Sequence, residues 1–232
     1  MMTHSRPMFV LLPGAGSTPW YWHRVDRELH ALGHAVTAVR LPCEKRSAGL
    51  AEYADTVVSA VGERREVVVV SHSFGAFTAP LVCARLSVRA LVLVAPMIPA
   101  SGESAAQWWE RTGQPEAQRD FALREGRDPD AEPSLDELFL HDLPPELAEA
   151  ALRYGECEQA STPFEQPWPL AAWPDVPTHV VAFRHDRLFP VEFQRRIARE
   201  RLSVTPDELD GGHLAILGNP GELARRLASY VA

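Results

Sequence analysis

Residues 67–76 read VVVVSHSFGA. Four valines make an uninterrupted β run, since β-branched side chains pack well on a pleated surface. Ser71-His72-Ser73-Phe74-Gly75 then ends it, and small and apolar residues resume. A serine presented on a sharp strand-to-helix turn takes a strained backbone conformation, so the residues two positions away on either side must be small. The usual pattern for such a turn is G-x-S-x-G, and here Ser71 stands in for the first glycine. The stretch predicts that Ser73 projects from a turn between a buried strand and a helix.

Working outward, strand and helix alternate on both sides of this turn. Upstream, MFVLL at 8–12 is an apolar run closed by Pro13 and Gly14, and Trp22, Val25, Leu29 and Leu32 follow at helical spacing before Gly33. AVTAVRLP at 35–42 reads as a second strand, and Leu50, Tyr53, Ala54, Val57, Val58 and Val61 share one helical face. Downstream, 74–86 predicts a small-residue helix interrupted by Pro80, and RALVLVAPM at 89–97 a fourth strand. After 172 the alternation resumes with THVVAFRHD (178–186), a helix from Pro190, SVTPDEL (203–209) and a last amphipathic helix from Asn219. Such alternation gives right-handed βαβ units and a mostly parallel sheet covered by helices on both faces, an α/β fold. The segment from about 98 to 172 is helical and proline-punctuated, with Trp108, Trp109, Phe121, Phe139 and Leu140 as apolar anchors. It reads as a cap inserted above the sheet of a single domain spanning 1–232.

Composition narrows the function. A chain of 232 residues, 46% hydrophobic, can bury a sizeable core, and a net charge of −8 argues against a nucleic-acid partner. Cys43, Cys83 and Cys157 are odd in number and widely spaced, which predicts neither a disulfide framework nor a metal site. The N-terminal apolar run at 8–12 is too short for a membrane span or a signal segment, so a soluble, cytoplasmic protein is expected. Nothing in the sequence sets the oligomeric state.

A serine hydroxyl is a poor nucleophile until a base takes its proton, and that base needs a third group to fix its tautomer. His72 adjoins Ser73 but points to the opposite face at a strand end. His213, in LDGGHLAIL, follows two glycines in a loop between the last strand and the last helix, and is the better base. Asp186 lies just past the carboxyl end of a strand, where parallel sheets build their sites. Asp175 precedes the same strand and belongs to the opposite end, while Asp142 in the cap is the rival acid. Asp186 could instead cap the following helix, and His141-Asp142 either caps a turn or reads substrate over the pocket.

The chain order Ser73, Asp186, His213, with FVLLPGAGSTPWYWHRV, VVSHSFGA, RHDRLFP and GGHLAIL, resembles the α/β-hydrolases of the small esterase and hydroxynitrile lyase branch. The resemblance implies the α/β-hydrolase fold, Ser73 as nucleophile, His213 as base, Asp186 as acid, and an oxyanion hole from the Ala15 and Phe74 N–H groups. Pro13 stands where the family usually has histidine, but it removes only its own N–H. The lyases of the branch carry a lysine beside the catalytic histidine. Here Leu214 follows His213 and the sole lysine is Lys45, which counts against cyanohydrin cleavage. Trp109, Phe139 and His141 are the expected substrate contacts. The expected substrate is a small to medium, apolar carboxylic ester, with no metal or other cofactor. A lyase or C–C hydrolase on the same triad, and a ligand-binding receptor on this fold, remain as alternatives.

Overall fold

The computed structural model describes residues 6–231. Its centre is a six-stranded sheet of β1 (Met8–Leu12), β2 (Val36–Ala38), β3 (Val67–His72), β4 (Val88–Val94), β5 (Thr178–Phe183) and β6 (Asp207–Leu209). The strands lie in the order β2-β1-β3-β4-β5-β6, and every neighbouring pair is parallel. The valine run is therefore central. Val67, Val68, Val69 and Val70 are all fully buried, because helices cover both faces.

The covering helices follow the predicted periodicity. On one face α1 (His23–Ala31) packs with α10 (Pro220–Ser229), burying Val25 and Leu29 against Leu223 and Leu227. On the other, α2 (Leu50–Val61), α3 (Ala79–Cys83) and α8 (Val191–Leu202) bury Tyr53, Val57, Val82, Phe193 and Ile197. Pro80 sits in the first turn of α3, where its missing N–H is not needed. The expected single helix over 74–86 is thus a 3₁₀ turn at Ser73–Phe77 followed by α3.

Between β4 and β5 the chain leaves the sheet and is helical, as the pattern indicates. It forms α4 (Ala105–Thr112), α5 (Gln114–Arg124), α6 (Pro145–Ala150) and α7 (Thr162–Glu165), with single-turn π segments at Asp136–Leu140 and Ala151–Gly155. α9 (Ala215–Gly218) is a single turn before α10. The returning arm of this insertion is joined to the loop after β1. Thr18 N–H donates to the Gly155 carbonyl at 2.7 Å, Cys157 N–H to Gly16 at 2.9 Å, and Gly16 N–H to Gln159 Oε1 at 3.0 Å. A Cβ at Gly155 would lie 2.4 Å from the Tyr21 ring, so only glycine allows this approach.

One sequence expectation is overturned. Cys43 and Cys157 form a disulfide across 114 residues of chain, with Cα atoms 6.7 Å apart, while Cys83 is free. Their spacing hides the pairing, because only the return path of the segment between β4 and β5 brings them together. The bond gives no support to the expected cytoplasmic location, because disulfides are rare in reducing compartments. No helix among the described residues is long and apolar enough to cross a membrane. By the chain-entropy account, closing a loop of this size stabilises the fold by about 4–5 kcal/mol. Reduction, or Cys43→Ser, should lower the thermal midpoint measurably; an unchanged midpoint in calorimetry would show that the bond contributes little.

Candidate active site

Ser73 leaves β3 with φ of 51°, in the left-handed region that a side chain disfavours. The conformation is held from both sides, by the buried strand before it and by Met97 N–H, which donates to the Ser73 carbonyl at 3.1 Å. A Cβ on Gly75 would sit 2.8 Å from the Pro13 carbonyl oxygen and 3.2 Å from Ser71 Cβ, so glycine is required there. Ser71 fits the first small position, although its hydroxyl is buried without a partner. The small-residue rule is met by size alone.

His213 follows Gly211, whose φ is 131°, and Gly212 in the loop between β6 and α9. Its Nδ1 lies 2.8 Å from Asp186 Oδ2, and both residues are almost wholly buried. Asp186 Oδ1 also accepts the N–H groups of Leu188 at 2.9 Å and Phe189 at 2.8 Å. Gln194 Nε2 reaches Oδ2 at 3.4 Å and donates to the Phe189 carbonyl at 2.6 Å. A buried carboxylate is tolerable only when its lone pairs are met in this way. Asp186 therefore does both things the sequence allows: it shapes the turn before α8 and holds an imidazole. With Nδ1–H committed to Asp186, the Nε2 edge is left for chemistry.

His72 does a different job. Its Nε2 is 2.9 Å from the His213 carbonyl oxygen, which can only accept, so Nε2 carries the proton. Burial holds the His72 imidazole well below its usual pKa, and the nearby His213 ring adds to this. It is a neutral donor bracing the His213 backbone. Asp175 lies exposed ahead of β5, at the end of the sheet away from Ser73. Asp142 is not at the imidazole; its Oδ2 accepts the Gly212 N–H at 2.5 Å.

Ser73 and His213 open onto one cavity of about 480 Å³. Ala15 and Phe74 line it too. No hydrogen bond within the described residues uses the Ala15 N–H, and Phe74 N–H belongs to the first turn of a helix, where intrahelical acceptors are lacking. Trp109 and Phe139 line the cavity, with Met97, Phe164, Leu188 and Phe189. His141 does not; its ring packs against Gly212.

The chain from residue 9 to residue 226 matches the profile of the alpha/beta hydrolase family. The chain belongs to that family. Among similar proteins, a probable esterase, PIR7A, of Oryza sativa subsp. indica is 35% identical over 109 residues, a match spanning 41% of each chain. Methylesterase 7 of Arabidopsis thaliana is 24% identical across 98% of this chain and 97% of its own. A pyrethroid hydrolase from Sphingobium faniae JZ-2 superposes with a TM-score of 0.76 at 21% identity, covering 97% of both chains. An extracellular alpha/beta-hydrolase from a Paenibacillus species gives 0.76 at 20%, covering 97% of this chain and 99% of its own.

Sequence reasoning missed two polar groups on the wall of the cavity. Tyr21 and Glu156 both line it, brought together where the segment between β4 and β5 returns past the loop after β1. Burial, with the negative charge of Glu156, pushes the Tyr21 phenol up to about 12, so the hydroxyl stays a donor. Tyr21 lies within the stretch FVLLPGAGSTPWYWHRV and Glu156 in none of the motifs, and the Gly155–Tyr21 contact shows where the two segments meet. Among the described residues, the group whose ligand atoms lie close enough to share an ion is Cys43, Glu44 and Cys157. Two of those three are the disulfide sulfurs, which in that state are not thiolate ligands.

Proposed function

We propose that this hydrolase cleaves a small to medium, largely apolar carboxylic ester through an acyl-enzyme on Ser73. The observation that carries the reading is the placement of a strained serine and a buried, Asp186-anchored imidazole on one apolar cavity. In this scheme His213 Nε2 takes the Ser73 proton as Oγ adds to the ester carbonyl. The oxyanion is held by the Ala15 and Phe74 N–H groups, which are worth most where water is excluded. His213 then gives its proton to the departing alkoxide, and water repeats the sequence to release the acid. The scheme uses no cofactor. The similarity to proteins named esterase, methylesterase and pyrethroid hydrolase supports ester cleavage.

The residues from about 98 to 172 serve, in this proposal, as a cap on a single domain, with Trp109 and Phe139 shaping the pocket. Trp109→Ala or Phe139→Ala should shift the preference between a bulky and a small activated ester by about tenfold or more. The turnover of the small ester should change little. Equal losses on both substrates would assign these residues to folding instead.

The deciding experiment is labelling with a fluorophosphonate probe, read by mass spectrometry. A single adduct on Ser73, abolished by Ser73→Ala, is expected. An intact, folded chain that takes no label would make the cavity a ligand-binding pocket and not a site of serine catalysis.

A further inference from the structure

The cap meets the loop that carries the proposed base, which lies beside the loop that carries the acid, through two consecutive residues. Asp142 Oδ2 accepts the N–H of Gly212, the residue before His213, at 2.5 Å. The His141 ring packs beside the same glycine, and its buried Nδ1 has no hydrogen-bond partner among the described residues. The two loops are themselves joined by the His185 N–H, which donates to the Gly211 carbonyl at 3.0 Å. The contact is close-fitting. A Cβ on Gly212 would lie 2.7 Å from His141 Cε1 and 2.8 Å from Asp142 Oδ1, and one on Gly211 would lie 3.5 Å from Asp142 Oδ2. Neither cap residue lines the cavity.

The geometry follows from the chain's local structure. The π turn at Asp136–Leu140 ends in a tight turn in which Leu143 N–H donates to the Leu140 carbonyl at 3.0 Å. Leu140 and Leu143 are buried on the sheet side, and they fix the depth at which the intervening pair lands. An N–H in a glycine-rich loop, with no strand or helix ladder to satisfy it, is a weak point of the fold. A carboxylate acceptor makes a strong, charge-assisted bond to it. On the opposite side of the loop, His72 holds the His213 carbonyl at 2.9 Å. The Gly211–Gly212 peptide ahead of the base and the His213 carbonyl after it are thereby both held.

We infer that Asp142 is a positioning residue: through Gly212 N–H it fixes the backbone of His213, so that the seated cap sets the reach of the base towards Ser73. The inference rests on the proposed role of Ser73 and His213. It assigns the cap a part in the reaction beyond shaping the pocket. An error of about 1 Å in the placement of a catalytic group is worth up to about 100-fold in rate.

The test compares Asp142→Ala, Asp142→Asn and Gly212→Ala with the unmodified enzyme. Each is assayed on a small activated ester and by the second-order rate of Ser73 phosphonylation, with circular dichroism as a check on folding. Asp142→Ala should lose about 10- to 100-fold in kcat and label correspondingly slowly, with KM nearly unchanged. Asp142→Asn retains a carbonyl acceptor for the Gly212 N–H and should recover most of the rate. Gly212→Ala attacks the contact from the other side and should reproduce the defect, so the test survives if Asp142→Ala does not fold. Wild-type labelling rates in Asp142→Ala or Gly212→Ala, or an Asn variant as impaired as the Ala variant, overturn the inference. If the unmodified enzyme labels at Ser73 and these variants label equally fast, the clamp fails alone. If the unmodified enzyme does not label there, the ester-hydrolase reading fails with it.

Discussion

Ser73→Ala lowers turnover of a short-chain aryl ester by on the order of 10⁴- to 10⁶-fold while leaving the fold intact, an expected result on two counts. The first is chemical: the acyl-enzyme route needs an oxygen nucleophile, and no neighbouring hydroxyl can replace it. Ser71 is two residues back in β3 with its Oγ buried beneath the turn, and Ser17 Oγ is turned to the Ala15 carbonyl at 3.0 Å. The second is structural. Alanine has the same Cβ as serine, so the strained φ of 51° and the fit against Gly14, whose built Cβ would lie 3.2 Å from Ser73 Cβ, are unaltered. The residual rate should be that of the oxyanion donors and substrate binding alone. A purified variant retaining more than about a tenth of the activity would rule out serine catalysis at this position.

Asp186→Asn should cost up to ~10⁴-fold in turnover on the same ester at saturation. Asparagine keeps the shape and can still accept the Leu188 and Phe189 N–H groups through its carbonyl oxygen. Its amide nitrogen, however, can only donate. Placed against His213 Nδ1, it favours the tautomer with the proton on Nε2, which then cannot accept from Ser73. The loss should therefore appear in kcat with the circular dichroism spectrum unchanged. Asp142→Asn is the informative contrast, since it should stay close to wild type. If the Asp142 variant were inactive and the Asp186 variant active, the acid would come from the cap.

The parts of the site that could be read from sequence share one property: each lies at the carboxyl end of a strand whose apolar pattern is unmistakable. Ser73 ends β3, Asp186 follows β5 and His213 follows β6, so placing the strands placed the residues. Local glycines supplied the rest, Gly75 at the turn and Gly211-Gly212 in the histidine loop. What could not be read depends on where the segment between β4 and β5 comes down. The Cys43–Cys157 bond, the Tyr21–Glu156 corner and the exclusion of His141 from the cavity all follow from that return path. Irregular helices with π turns have no hydrophobic period strong enough to predict it. The structure of α3 was misread for a smaller reason: Pro80 starts that helix after the 3₁₀ turn and does not interrupt a longer one.

The hydrogen-bonded pairing of β4 with β5 brings Leu91 beside Thr178, across the whole of the segment between them. Loop-closure entropy rises only with the logarithm of loop length, about 0.6 kcal/mol for each doubling. The sheet is thus nearly indifferent to how many residues intervene. A chain built this way can exchange its pocket wall by insertion, deletion or grafting while the strands beneath keep their register. The freedom ends at the points where that segment grips the rest of the chain: the arm laid along Gly16–Thr18, the sulfur link to Cys43 and the carboxylate at Gly212. A transplanted segment would be a new wall only if it kept those footholds.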